Sequence, residues 1–176
     1  MTPTQRKEKI EAYGRAYDQL KEALKGFPRQ MWPYKPGPDR WSIQEIILHI
    51  ADSEANSYVR CRCFLAEPGK TIMAYDENRW AVGLQYHRQN PDAAVELFGL
   101  LRQMSFRLIA SLPEQAWSNE VIHPESGRMT LEDWLTIYTN HIPEHIGQMQ
   151  ATYDAWVAHQ QGRQPDSEKT LFRPLE

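Results

Sequence analysis

"NHIPEHIGQM", residues 140–149, decides whether this 176-residue chain ends in one long helix or two short ones. Proline lacks a backbone N–H and its ring crowds the carbonyl four residues back, so Pro143 either stops a helix or distorts one. The apolar positions on each side answer the question. Leu131, Trp134, Tyr138 and Ile142 precede the proline at helical spacing, and Ile146, Met149, Tyr153 and Trp156 resume the stripe beyond it. The pattern predicts one helix through Pro143, locally bent or bulged rather than ended. Thr130, followed three residues later by Asp133, supplies its N-terminal capping signal.

Three further amphipathic segments precede it. Ile10, Tyr13, Tyr17, Leu20 and Leu24 mark a first helix from about Thr4 to Lys25, stopped by Gly26-Phe27-Pro28. Ser42 and Glu45 form a capping box for a second, with Ile43, Ile46, Ile47 and Ile50 inward and an end near Leu65. Asn90-Pro91 opens a third, whose expected inner face is Ala94, Leu97, Phe98, Leu101, Met104 and Leu108. The connections, 66–89 and 113–129, are long for a compact domain, and the first has room for a short helix from Asp76 to Val82. Strand signals are nearly absent. The expectation is an all-α four-helix bundle over residues 1–160, with 161–176, containing Pro165 and Pro174, as a polar C-terminal tail.

Composition excludes several classes. With 41% apolar and 24% charged residues the chain is neither disordered nor collagen-like. A net charge of −3, a pI near 6.1 and no basic block argue against binding nucleic acid through many phosphates. The polar N-terminus has no apolar signal region, and no apolar run approaches a bilayer span of about 18 residues. Cys61 and Cys63, two apart on a helix, point to different sides and make a poor disulfide pair. The expectation is a cytoplasmic protein with no membrane partner.

His141 and His145 are four residues apart, so they lie only about 40° apart around a helix. Both flank the apolar stripe, as does His49 on the second helix. Three imidazoles from two helices suit a divalent metal, and three protein ligands leave a position open for chemistry. Histidines at such positions also occur as satisfied core or surface residues, and the pattern alone leaves both readings open. His141, Glu144 and His145 also spell His-x-x-Glu-His, an inverted zinc-peptidase pattern with Glu144 as base. Glu144 points about 100° away from His145, and only 31 residues follow to carry a further ligand, so this reading is set aside. His87 and His123 are expected in loops, with a substrate role as the lesser alternative, and His159 as a solvated residue near a helix C-terminus.

Three stretches taken together resemble the DinB/YfiT-like superfamily: "WSIQEIILHIADSE" (41–54), "AYDENRW" (74–80) and "HIPEHIGQM" (141–149). The resemblance, in order and spacing, runs from about residue 4 to 160. It implies up-down-down-up helix order and one divalent ion, zinc or nickel, on His49, His141 and His145. It also implies a homodimer acting on a small molecule, either as a hydrolase or as an S-transferase using a low-molecular-weight thiol such as bacillithiol or mycothiol. A non-catalytic metal-binding or dimerisation module is the alternative. Glu45, Asp52 and Gln148 are candidates to orient the imidazoles, and Arg60 and Tyr75 to contact substrate.

Overall fold

A computed structural model describes residues 1–162; most of the expected tail, 163–176, lies outside the described residues. Five helices follow in order: α1 (Pro3–Lys25), α2 (Ile43–Ala66), α3 (Glu77–Gly83), α4 (Pro91–Ile109) and α5 (Leu131–Gln160). Two short strands, β1 (Glu120–His123) and β2 (Gly127–Thr130), lie between α4 and α5. The capping boxes Ser42/Glu45 and Thr130/Asp133 form as expected, and Asn90 caps α4 through the N–H groups of Asp92 and Ala93. Asp76 caps α3, the short helix expected in the first long connection.

Side-chain contacts fix the helix order. Arg6 pairs with Glu132, the Tyr13 and Trp134 rings lie 5.3 Å apart, and Phe27, just past α1, meets Tyr153, so α1 and α5 run parallel. On α2, Gln44 bonds the carbonyl of Gln89 at the entry to α4, and Glu54 bonds Arg102, so those two also run parallel. Tyr17 bonds Glu96 while Arg102 lies over Tyr13, which makes α1 and α4 antiparallel. Arg60 reaches Tyr138, Ser53 reaches His141, and His49 meets His145, so α2 and α5 are antiparallel as well. The result is up-down-down-up, with the chain-consecutive helices α1 and α2 set diagonally. Long connections are the physical requirement of such an order, because parallel neighbours cannot be joined by a tight turn.

Two apolar clusters fill the bundle, one around Leu20, Ile46, Ile47 and Phe98, the other around Tyr13, Phe64, Ile109 and Trp134. Near the middle stands a buried ion pair. Arg102 donates from Nε to Glu54 Oε1 at 3.0 Å and from Nη2 to Oε2 at 2.6 Å. It also donates from Nη1 to the carbonyls of Tyr13 and Tyr138, and Tyr13 donates its hydroxyl to Glu54. One network therefore touches all four long helices.

Two expectations are corrected. The inner face of α4 is Ala94, Val95, Phe98, Arg102, Ser105 and Ile109, whereas Leu97 and Met104 are 44% and 51% exposed. The cause is Arg102, which takes an inward position because Glu54 neutralises it, and so rotates the buried face away from the most apolar one. The second correction is the β-hairpin, antiparallel with Glu120 opposite Thr130 and His123 opposite Gly127, which adopts φ +77° at the turn. Residues 70–72 extend it: Ile122 bonds the Lys70 carbonyl, and Ile72 bonds the Ile122 carbonyl. Four-residue strands are too short for a period-two signal, and part of their pairing is about fifty residues distant.

Among the described residues no helix is long and apolar enough to cross a membrane.

Candidate metal centre

His49 comes from the second turn of α2, and His141 and His145 from the middle of α5; all three are buried. Because α2 and α5 are antiparallel neighbours, the three rings meet, with centroids 4.4 Å apart for His141–His145, 4.8 Å for His49–His145 and 5.4 Å for His49–His141. One nitrogen from each lies within 4.8 Å of the others. Helix α5 runs unbroken through Pro143, and the two rings flanking it converge. Pro143 is on the exposed side, so the imidazoles on the inner side are spared its ring.

The hydrogen bonds select the inward nitrogens. His145 Nδ1 donates to Gln148 Oε1 at 2.9 Å, which leaves Nε2 with its lone pair. That Nε2 faces His141 Nε2 at 3.1 Å, and Ser53 Oγ lies 3.4 Å from the same His141 atom. Two ligand nitrogens on one tetrahedral zinc, each about 2.1 Å from it, are roughly 3.4 Å apart. His49 Nδ1 is buried with no partner among the described residues. Burial pushes the affinity of all three imidazoles for protons down: His49 and His141 fall well below the ordinary value, each further lowered by its histidine neighbours. His145 is pushed down to about 4 by burial, against the opposing bond to Gln148. All three are neutral at pH 7, the form that ligates a metal. Neutral, convergent and close-set, these donors fit a divalent cation.

Around them lies a cavity of about 660 Å³, open to one side. Its lining includes Trp41, whose ring packs 4.8 Å from that of His49, and Glu77, whose Oε2 lies 3.7 Å from His49 Nε2. Glu77 opens α3, so the short helix brings a carboxylate to the histidines. Burial raises its proton affinity, and neighbouring Asp76 adds to that. Glu144 also lines the cavity, its Oε2 buried and without a partner among the described residues.

Of the other expected site residues, Gln148 touches an imidazole, and Arg60 and Tyr75 line the cavity. Glu45 is occupied elsewhere, capping α2 through the Ser42 N–H and pairing with Lys35 at 3.1 Å. Asp52 accepts the Tyr86 hydroxyl at 2.5 Å. His123, expected in a loop, stands at the end of β1, buried and in the cavity lining. His159 is exposed, its ring 5.8 Å from that of Tyr34. Sequence reasoning missed Glu77, and it placed His123 in a loop with a substrate role only as the lesser alternative. Glu77 lies in the quoted stretch 74–80 but carries no spacing relation to the histidines, and His123 depends on the hairpin.

A four-helix bundle in up-down-down-up order, with three histidines from antiparallel helices at a cavity, defines a distinct class of small α-helical protein. A sequence model of the DinB superfamily matches residues 12–149, and the chain belongs to that superfamily. It is 31% identical over 120 residues to a Bacillus licheniformis protein provisionally named a metal-dependent hydrolase, covering 68% of this chain and 67% of that one. It is 30% identical over 115 residues to YfiT of Bacillus subtilis, which carries the same provisional name, covering 65% and 64% respectively. The solved structure of YfiT superposes with a TM-score of 0.80 at 23% identity, covering 93% of this chain and 91% of that one, and shares the fold.

Proposed function

We propose that this chain is a metal-dependent hydrolase of a small molecule, binding one divalent ion, zinc or nickel, through His49, His141 and His145. The observation that carries this reading is the convergence of three buried, neutral imidazoles on an accessible cavity. The hydrolase names of the relatives support it. A divalent ion held there supplies Lewis-acid polarisation and lowers the pKa of water.

The chain's own residues do the remainder. Gln148 holds the His145 ring through Nδ1 and so aims Nε2 inward. Trp41 walls off one side of His49 and keeps bulk water from it. Glu77, whose Oε2 lies 3.7 Å from His49 Nε2 in the cavity lining, is the carboxylate placed to take a proton from an attacking water. Tyr75 borders the space in which substrate lies.

Metal analysis of the purified protein tests this directly. One equivalent of ion is expected in the wild type, with loss in His49→Ala and His145→Ala. Gln148→Ala should retain the site with affinity lower by about 10–100-fold, the usual effect of removing a partner that orients a ligand. Unchanged metal content in His49→Ala would remove the third ligand and the reading with it. Turnover of ester or amide panels separates hydrolysis from thiol transfer, which the same ligand set would serve; turnover only with an added thiol would reassign the reaction. Absence of both would leave a binding module.

The homodimer belongs to the same reading. Leu97, Leu100 and Met104 form an exposed apolar line on α4, which supports pairing of two copies through this face. Sedimentation should give a dimer in the wild type and a monomer for Leu100→Glu; a monomeric wild type would remove the assignment.

A further inference from the structure

The cavity also holds donors well away from the histidines, one farther along α2 and one on the hairpin. Arg60 lies eleven residues beyond His49 on α2, hence on the same face and about 16 Å along the axis before side-chain reach shortens the gap. Its Nη1 donates to the Tyr138 hydroxyl at 3.3 Å and its Nη2 to the Met73 carbonyl at 2.6 Å. Its Nε is buried and has no acceptor among the described residues. A buried charged donor without a partner is costly, and a guanidinium held by its two outer nitrogens cannot turn to find one.

His123 is brought to the same place by the hairpin. The Met73 carbonyl that holds Arg60 follows directly on Ile72, which is bonded to Ile122, the residue before His123. The His123 tautomer is fixed by its own turn. The backbone N–H groups of Glu125 and Ser126 both point at Nδ1, at 3.3 and 3.4 Å, so Nδ1 holds the lone pair and Nε2 the proton. The ring stays neutral, pushed down by burial and by Arg60.

We propose that Arg60 Nε and His123 Nε2 form a subsite for a carboxylate group of the substrate, at the end of the cavity away from His49, His141 and His145. Naming the ligand as part of a substrate rests on the hydrolase reading; the donor pair itself does not. Two N–H donors match the two oxygens of a carboxylate, and one fixed positive charge balances a single negative one. A phosphate dianion would bring more acceptors than the pair satisfies, close to Glu125. Tyr138, bonded to Arg60 and with its ring 5.9 Å from that of His141, bridges the two ends. The substrate is accordingly an extended small acid, held by its carboxylate so that its reacting bond lies at the histidines. The hairpin acquires a purpose beyond closing the bundle, since it carries half of the recognition.

The test compares 4-phenylbutyrate with 4-phenylbutanamide, alike in shape but not in charge, by calorimetry on zinc-loaded and on chelator-treated protein. The wild type should bind the acid about tenfold or more tightly than the amide in both forms. That preference should vanish in Arg60→Gln and fall in His123→Ala, while the metal content of the His123→Ala variant stays at the wild-type value. Equal affinity for acid and amide, or no binding of the acid, overturns the subsite. So does a preference that survives Arg60→Gln and disappears with the metal, since it would place the carboxylate at the histidines instead. Tighter competition by inorganic phosphate than by acetate would overturn the carboxylate assignment. A wild type that takes up no metal yet keeps an Arg60-dependent preference would end the hydrolase reading and uphold the subsite.

Discussion

Replacing Glu54 by glutamine should lower stability by about 3–5 kcal/mol, a large share of the roughly 5–15 kcal/mol typical of a folded domain. Glu54 and Arg102 are each only 1% exposed in their side chains, and the mutant strands a guanidinium in the core. The loss spreads because Arg102 also holds the carbonyls of Tyr13 and Tyr138, and Glu54 accepts the Tyr13 hydroxyl. Urea denaturation measures it, with the midpoint moving and the slope constant if cooperativity persists. The double replacement Glu54→Leu with Arg102→Met removes both charges and should recover much of the loss. A Glu54→Gln protein within about 1 kcal/mol of wild type would show that the pair carries little of the stability. Since Tyr138 lies one turn before His141, the same variant should also loosen the three-histidine cluster.

That network explains where sequence reasoning stopped. The capping signals at Ser42, Asn90 and Thr130 are local, written in neighbouring residues, and the structure uses each of them. The continuation of α5 through Pro143 was legible because the apolar stripe keeps its phase. The inner face of α4 was not, because hydrophobicity assigns the face by the most apolar residues and Arg102 is the least apolar of them. Only its partner Glu54, 48 residues away, makes it an inward residue. The helix order is a property of tertiary contacts and came from resemblance rather than from residue spacing. The same division runs through the site. His141 and His145 announce themselves by spacing, and His49 needs the second helix to be placed beside them. Glu77 and His123 lie on the short helix and the hairpin within the long connections, where no periodicity speaks.

Metal-free protein should lose stability steeply as pH falls below about 6.5, and bound metal should offset that loss near neutrality. An imidazole in the unfolded chain titrates near 6.5, whereas burial holds His49, His141 and His145 below that in the fold. Between those values the unfolded chain binds more protons, so acid favours it; above about 6.5 neither state gains a proton and the slope from these groups vanishes. For His145, with a folded value of about 4, the full window is worth about 3 kcal/mol. With all three titrating together the limiting slope is about 4 kcal/mol per pH unit. Zinc at a thousandfold excess over its dissociation constant should add about 4 kcal/mol near pH 7.5. That increment shrinks on acidification, because the same nitrogens must surrender their lone pairs to protons. Urea midpoints at pH 7.5, 6.5 and 5.5, with zinc and with chelator, separate the contributions. A metal-free midpoint that is flat down to pH 5.5 would mean that the imidazoles titrate as if exposed, and the buried neutral triad would have to be given up.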